Sequence, residues 1–271
     1  MIGLLPWIRI VTAVAVYIVF ALLASVISSK LNLNLREIKS RTSWAILLVG
    51  AIANMGILVI ISLLLKYWDN RPLADLGLRF TTFDFLYIVL GVGIIVIAAI
   101  ILIMLWRHSE TLELQIEKPV KNRSELLNML GGIGVLSIVA IQEEVLFRGY
   151  ITLNLFHLSP IIVIVASTVL FTLIHLITNT RNAYQLLSWI IGGALLAYVY
   201  LITGSIWIPI LLHFTIDLNN MLIFNIAGRF SFLKLSPSLT KNQLVIHKIV
   251  LSTLLLTVLI TFYGSSFKLI P

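Results

Sequence analysis

Apolar residues run along this chain in long blocks, separated by short stretches that collect most of the charges and prolines. A helix that crosses a bilayer needs roughly 20 mostly apolar residues. Eight blocks meet that length, at 7–29, 43–66, 84–106, 132–156, 160–178, 184–202, 205–226 and 248–264. The pattern predicts an all-α, polytopic membrane protein with about eight transmembrane helices. Pro6 suits the first turn of a helix, where its missing N–H costs nothing, and Trp7 suits a membrane interface. Arg9, at the very start of the first block, is the only basic residue before its uninterrupted apolar run. That block exceeds the roughly 7–15 apolar residues of a signal sequence, so the first span is expected to stay in the mature protein. Connections are short except at 107–131 and 227–247, and neither is long enough for a further domain. Residues 1–271 thus read as a single membrane domain. The stretch 69–82, with Asp69, Arg71, Pro72, Gly77 and Arg79, reads as a polar connection.

Composition agrees with the pattern. Charged residues make up 11% of the 271 positions, against about one-quarter in soluble domains. That is too few to coat a globule of this size in water. The net charge of +8 would suit nucleic acid in another setting, but a membrane protein gathers basic residues in its cytoplasmic loops. No nucleic-acid partner is expected. Counting Lys248, the first residue of the last block, thirteen of the 19 Lys and Arg residues fall in or at the edge of the odd-numbered connections, which places those connections in the cytoplasm and both termini outside. With no cysteine, thiol nucleophiles, thiolate metal sites and disulfides are all excluded.

Ionisable groups are distributed unevenly among the spans. The first three carry essentially none in their interiors; Arg9 and Asp84 sit at ends. Glu143, Glu144 and Arg148 lie in the fourth span, His175 in the fifth, and His213 and Asp217 in the seventh. Such groups are costly at membrane depth, and those that persist usually serve a function. Residues four apart share a helix face, so Glu144 can pair with Arg148, and His213 with Asp217; Phe171 is an aromatic neighbour for His175. Glu143 is turned about 100° from Glu144, so one glutamate can be held by Arg148 while the other faces a cavity. Depth restricts the picture further. A fourth span ending at Phe147 would leave Glu143 and His175 near opposite surfaces, whereas a helix from Gly132 to Phe156 brings Glu143 to mid-depth. The groups converge only if Arg148 is buried.

Glu144–Arg148 reads as a structural pair that orients its helix. His108, His157 and His247 read as solvated, Phe171 as packing, and Asn54, Asn219 and Asn220 as bonds between helices. Glu143, His175 and His213 with Asp217 remain as candidate chemistry. They can bind a metal, zinc being suited to imidazole and carboxylate, or activate water directly with Glu143 as general base. The sequence has neither the zinc motif H-E-x-x-H nor a G-x-S-x-G nucleophile elbow.

These residues resemble a known family. Glu143-Glu144-Val145-Leu146-Phe147-Arg148-Gly149 is similar to the E-E-x-x-x-R motif of the CAAX protease and bacteriocin-processing (CPBP, or Abi) intramembrane proteases. Phe171 to His175 resembles its F-x-x-x-H motif, and His213 to Asp217 its H-x-x-x-N/D motif. The run from Gly192-Gly193 through Thr203-Gly204-Ser205 to His213 is also similar to the family's pattern. The resemblance covers residues 130–225, the implied catalytic core. It implies an eight-helix, multi-pass endopeptidase of the cell membrane that cuts a peptide or membrane-protein substrate. Glu143 and His175 would activate the attacking water, and His213 with residue 217 would stabilise the oxyanion. Zinc dependence, with Glu143, His175 and His213 as ligands, stays open beside a metal-independent glutamate mechanism. Residue 217 is Asp where prenyl-protein members carry Asn. An ionised Asp cannot donate to an oxyanion; Asp217 can instead hold His213 protonated or bind metal.

Two other functions fit a membrane protein with buried acids and histidines. Such groups relay protons in carriers, but no inverted repeat of the kind common there is visible, and the charges are confined to one half. A scaffold or immunity protein could keep the fold without proteolysis; three intact motifs argue against it.

Overall fold

The computed structural model describes residues 5–31, 44–108, 115–116, 120–178, 183–222 and 233–234, together with Val258 and Thr261. Seven helices account for nearly all of them: α1 (Leu5–Lys30), α2 (Trp44–Trp68), α3 (Thr82–His108), α4 (Arg123–Leu155), α5 (Pro160–Thr178), α6 (Ala183–Thr203) and α7 (Trp207–Leu222). The first six are long and apolar enough to cross a membrane, and α7 has 16 residues. The expected span at 248–264 lies outside the described residues apart from Val258 and Thr261, both helical. The all-α expectation holds, with one small addition. A two-residue antiparallel bridge pairs Gln115 with Lys234 and Ile116 with Leu233, linking the two longest connections.

Local sequence sets the helix ends. Thr81 and Asp84 cap α3 reciprocally: the Thr81 N–H donates to the Asp84 carboxylate at 2.5 Å, and the Asp84 N–H to the Thr81 hydroxyl at 3.2 Å. The fourth helix begins at Arg123, nine residues before the expected Gly132. Asn122 accepts from the Glu125 N–H at 3.0 Å, and Glu125 accepts from the Lys121 N–H at 2.7 Å. This cap extends the helix through a stretch too polar to read as membrane-spanning. Helix α6 ends at Gly204, which takes the left-handed conformation (φ 65°) that glycine adopts without a Cβ penalty.

The surface inverts the soluble pattern. Ile52, Ile161 and Val11 are each more than 60% exposed while Glu144 and Arg148 have no exposed surface. Only a hydrocarbon surround makes that arrangement favourable. This is a membrane protein. Helix α2 packs between α1 and α4, α7 between α3 and α4, and α5 pairs along its length with α6. The α5–α6 pair meets α4 at residues 145–151, where α4 widens into π-helical turns.

The stretch 69–82 is more than a polar connection. It forms a short 3-10 turn, Leu73–Leu76, whose Leu76 is buried against Gly149 in the wide segment of α4. The Gly77 carbonyl accepts from the Ile206 N–H at 3.1 Å, and the Leu78 carbonyl from the Trp207 indole at 2.9 Å. Gly77 (φ 78°) lies so close to the Gly204 carbonyl that a Cβ would clash with it. Asp69 pairs with Arg9 at 2.6 Å, tying the end of α2 to α1. Asn54 does not bond another helix through its amide nitrogen, which donates to the Gly50 carbonyl of its own helix at 2.8 Å.

Candidate active site

The titratable groups of α4, α5 and α7 come together where those helices meet. Arg148 is fully buried, as convergence requires. Its Nη1 donates to Glu144 Oε1 at 2.8 Å and its Nη2 to the Gly193 carbonyl at 3.0 Å. The guanidinium carbon lies 4.7 Å from the Phe171 ring centroid, a cation–π contact. Glu144 Oε1 also accepts from His213 Nδ1 at 2.7 Å. One buried carboxylate oxygen thus holds both the arginine of its own helix and the histidine of α7.

Glu143, one residue earlier on α4, faces the imidazoles. Its Oε2 lies 3.7 Å from His175 Nε2 and 3.8 Å from His213 Nε2. That oxygen is buried and has no direct hydrogen-bond partner. His175 Nδ1 donates to the Phe171 carbonyl at 2.9 Å. Both histidines therefore use Nδ1 for support and turn Nε2 towards one oxygen. In a neutral ring with the proton on Nδ1, Nε2 carries a lone pair. Separations of 3.7–3.8 Å exceed a direct hydrogen bond and suit a bridging water. Asp217 Oδ2 is 3.6 Å from His213 Nε2, with the Asp217 side chain 28% exposed, the most open of these groups.

All six ionisable residues picked from the sequence lie in this one network, and the expected pairings of Glu144 with Arg148 and of His213 with Asp217 both occur. Among the described residues, no group of three or more His, Asp or Glu side chains is arranged to hold a metal ion. Glu143, His175 and His213 do not form such a group, and no step below passes through a metal.

Three further residues support the site; the sequence pointed to Gly193 only as part of the family-like run, and to Trp189 and Ser167 not at all. Trp189 of α6 packs against His175 in a tilted contact, ring centroids 5.0 Å apart. Gly193 supplies the carbonyl for Arg148, and a Cβ there would stand 3.2–3.3 Å from Thr168 and Phe171. Ser167 donates to the Phe147 carbonyl at 3.1 Å, joining α5 to α4. Phe171, expected to be packing, touches the Phe147 ring, both imidazoles and Arg148. His157 is exposed as expected; the side chains of His108 and His247 lie outside the description.

A family model described as type II CAAX prenyl endopeptidase Rce1-like matches residues 125–219. Comparison with curated proteins and with solved structures gives no match. The matched segment begins at the cap of α4 and ends two residues past Asp217, so it contains all three motifs and every ionisable group of the network. Over residues 125–219 the chain is similar to the Rce1-like type II CAAX prenyl endopeptidases, which fall within the CPBP family.

Proposed function

We propose that the protein is a multi-pass endopeptidase of the cell membrane. Its catalytic core spans residues 130–225 of a single membrane domain, and it hydrolyses a peptide bond of a peptide or membrane-protein substrate with water activated by glutamate and histidine. One observation carries this reading: imidazole Nε2 atoms from two separate helices face the same buried Glu143 oxygen at 3.7 and 3.8 Å, each imidazole held from behind through Nδ1.

In the mechanism, a water sits between Glu143 Oε2 and His175 Nε2. Glu143 takes one of its protons as the oxygen attacks the scissile carbonyl carbon. His175 accepts the second hydrogen bond and aims the water. The carbonyl oxygen becomes an oxyanion, towards which His213, protonated at both nitrogens, directs Nε2–H while Glu144 accepts from Nδ1–H. The C–N bond then breaks as Glu143 returns its proton to the leaving amine. Glu144 and Arg148 hold His213 in place and touch no reacting atom. Asp217, an acceptor only when ionised, keeps the Nε2 proton on His213.

The test uses the full chain in proteoliposomes with fluorogenic peptides ending in a CAAX sequence, prenylated and unprenylated. Glu143→Gln and His175→Ala should each lower cleavage by at least about a hundredfold while melting near the wild-type temperature. Undiminished cleavage in both variants refutes the mechanism. Solute or proton flux that Glu143→Gln abolishes, in a protein that cleaves no peptide, replaces it with transport.

A further inference from the structure

We propose that Trp189 is a positioning residue for His175, the outer wall of an aromatic clamp that keeps Nε2 turned towards Glu143; the proposal rests on the protease reading above. His175 is the one imidazole of the pair whose supporting hydrogen bond comes from its own helix. Its Nδ1 bonds the Phe171 carbonyl one turn back, whereas His213 is held by a carboxylate from another helix. His175 also lies three residues from the last residue of α5, with 15% of its side chain exposed. The bond fixes the position of Nδ1, and the contacts on the rest of the ring set the tilt that aims Nε2 at the Glu143 carboxylate.

Two aromatic faces restrict that motion. Phe171 lies 4.3 Å from the imidazole centroid at 42°, and Trp189 lies 5.0 Å from it at 48°. Phe171 is itself fixed, with the Arg148 guanidinium over its face at 4.7 Å and the Phe147 ring edge-on at 5.2 Å. Four side chains are thus in contact in series, from the buried Arg148 through Phe171 and His175 to Trp189. The last member comes from α6 and is brought close by Gly193, one turn further along the same helix face. The missing Cβ of Gly193 lets α6 approach Thr168 and Phe171, and its carbonyl binds Arg148. One helix therefore anchors both ends of the stack.

The clamp makes a demand that simple packing does not. Trp189 should govern the orientation and tautomer of His175, and so the chemical step, with little effect on substrate affinity. Trp189→Phe keeps a flat aromatic face, Trp189→Leu fills volume without one, and Trp189→Ala removes both. The neighbouring Ile190, 41% exposed and outside the stack, serves as control through Ile190→Ala. In the reconstituted full chain, Trp189→Leu and Trp189→Ala should lower kcat by about 10–100-fold, the scale of a small misplacement of a reacting group, with KM unchanged. Trp189→Phe and Ile190→Ala should retain most of the wild-type kcat.

Nitrogen-15 histidine spectra supply the second readout. The His175 resonances, identified by their loss in His175→Ala, should show a single tautomer protonated on Nδ1 in wild type and Trp189→Phe, and mixed tautomers in Trp189→Leu. A wild-type kcat in Trp189→Leu, a change confined to KM, or an undisturbed Nδ1–H tautomer in that variant overturns the proposal. Should wild type and Glu143→Gln prove equally inert towards peptides, the protease reading fails, and the tautomer spectra alone decide whether the clamp exists.

Discussion

The buried pair at the centre of the network can be tested by removing its positive half. Arg148→Met keeps an unbranched side chain and deletes the charge, the 2.8 Å bond to Glu144 and the 3.0 Å bond to the Gly193 carbonyl. Because neither Arg148 nor Glu144 has exposed surface, water cannot compensate the stranded carboxylate. Breaking a pair of this kind costs about 3–5 kcal/mol. His213 Nδ1 remains on Glu144 at 2.7 Å, so the lower end of that range applies, about 3 kcal/mol, or a little over a hundredfold in the folding equilibrium. In Glu144→Gln/Arg148→Met no charge is stranded, and replacing a buried pair outright is often close to neutral. The double variant should therefore recover about 2 kcal/mol relative to Arg148→Met, a coupling typical of residues in one network.

Activity should not recover with stability. The new amide oxygen can still accept from His213 Nδ1, but it carries no charge to balance a doubly protonated imidazole facing the oxyanion. Reversible unfolding in mixed micelles gives the stability of the two single variants and the double variant, and peptide cleavage by the same samples gives the activity. A loss below about 1 kcal/mol in Arg148→Met would place the pair among the weak, solvent-screened bridges and contradict the burial argument. Cleavage restored in the double variant would remove Glu144 from the support of His213.

Three further outcomes are expected. Asp217→Asn, at the most exposed group of the site and 3.6 Å from His213, should keep cleavage within about tenfold of wild type, or about 1.4 kcal/mol of barrier; a loss as deep as that of Glu143→Gln would make its carboxylate a proton carrier. Dialysis against EDTA and phenanthroline should leave cleavage intact, because in the proposed mechanism Glu143 activates the water directly; loss restored by added zinc would overturn the metal-free mechanism. Gly149→Ala should lower stability by no more than about 1 kcal/mol, since its Cβ would stand 3.0 Å from the tip of the Leu76 side chain, which can shift by a few tenths of an ångström; a thermal-unfolding loss as large as that of Arg148→Met would refute this.

The membrane helices were legible because lipid imposes a length that one composition satisfies, and each of the first seven blocks corresponds to a described helix. The network was legible because an α-helix repeats its faces every three to four residues. Glu144 and Arg148, Phe171 and His175, and His213 and Asp217 are each four apart, and each pair meets. The start of α4 was missed because Asn122 and Glu125 signal it through capping, to which a hydropathy pattern is blind. Trp189 was missed because an aromatic residue in an apolar run has the same signature whether it faces lipid or a buried imidazole. The pairing of Leu76 with Gly149 spans more than 70 residues and leaves no periodicity to read.

What no local pattern could reveal is how three helices come into register, and the widened segment of α4 accounts for much of it. Over Val145–Ile151 the helix takes π-helical turns, a feature frequent at functional sites. Within it the Phe147 carbonyl accepts two hydroxyls at 3.1 Å, one from Thr152 on the same helix and one from Ser167 on α5. Ser167, Phe171 and His175 follow at intervals of four, so they share one face of α5. Ser167 fixes that face to Phe147, Phe171 packs on the Phe147 ring and under Arg148, and His175 reaches Glu143. Along α4 the matching partners run the opposite way, from Phe147 and Arg148 back to Glu143. The two helices are matched step by step, and the Ser167 bond sets the height at which His175 meets its carboxylate. A slip of one turn, about 5.4 Å, would carry the imidazole out of reach, so the meeting of Glu143 and His175 depends on a serine and a widened turn outside the pair itself.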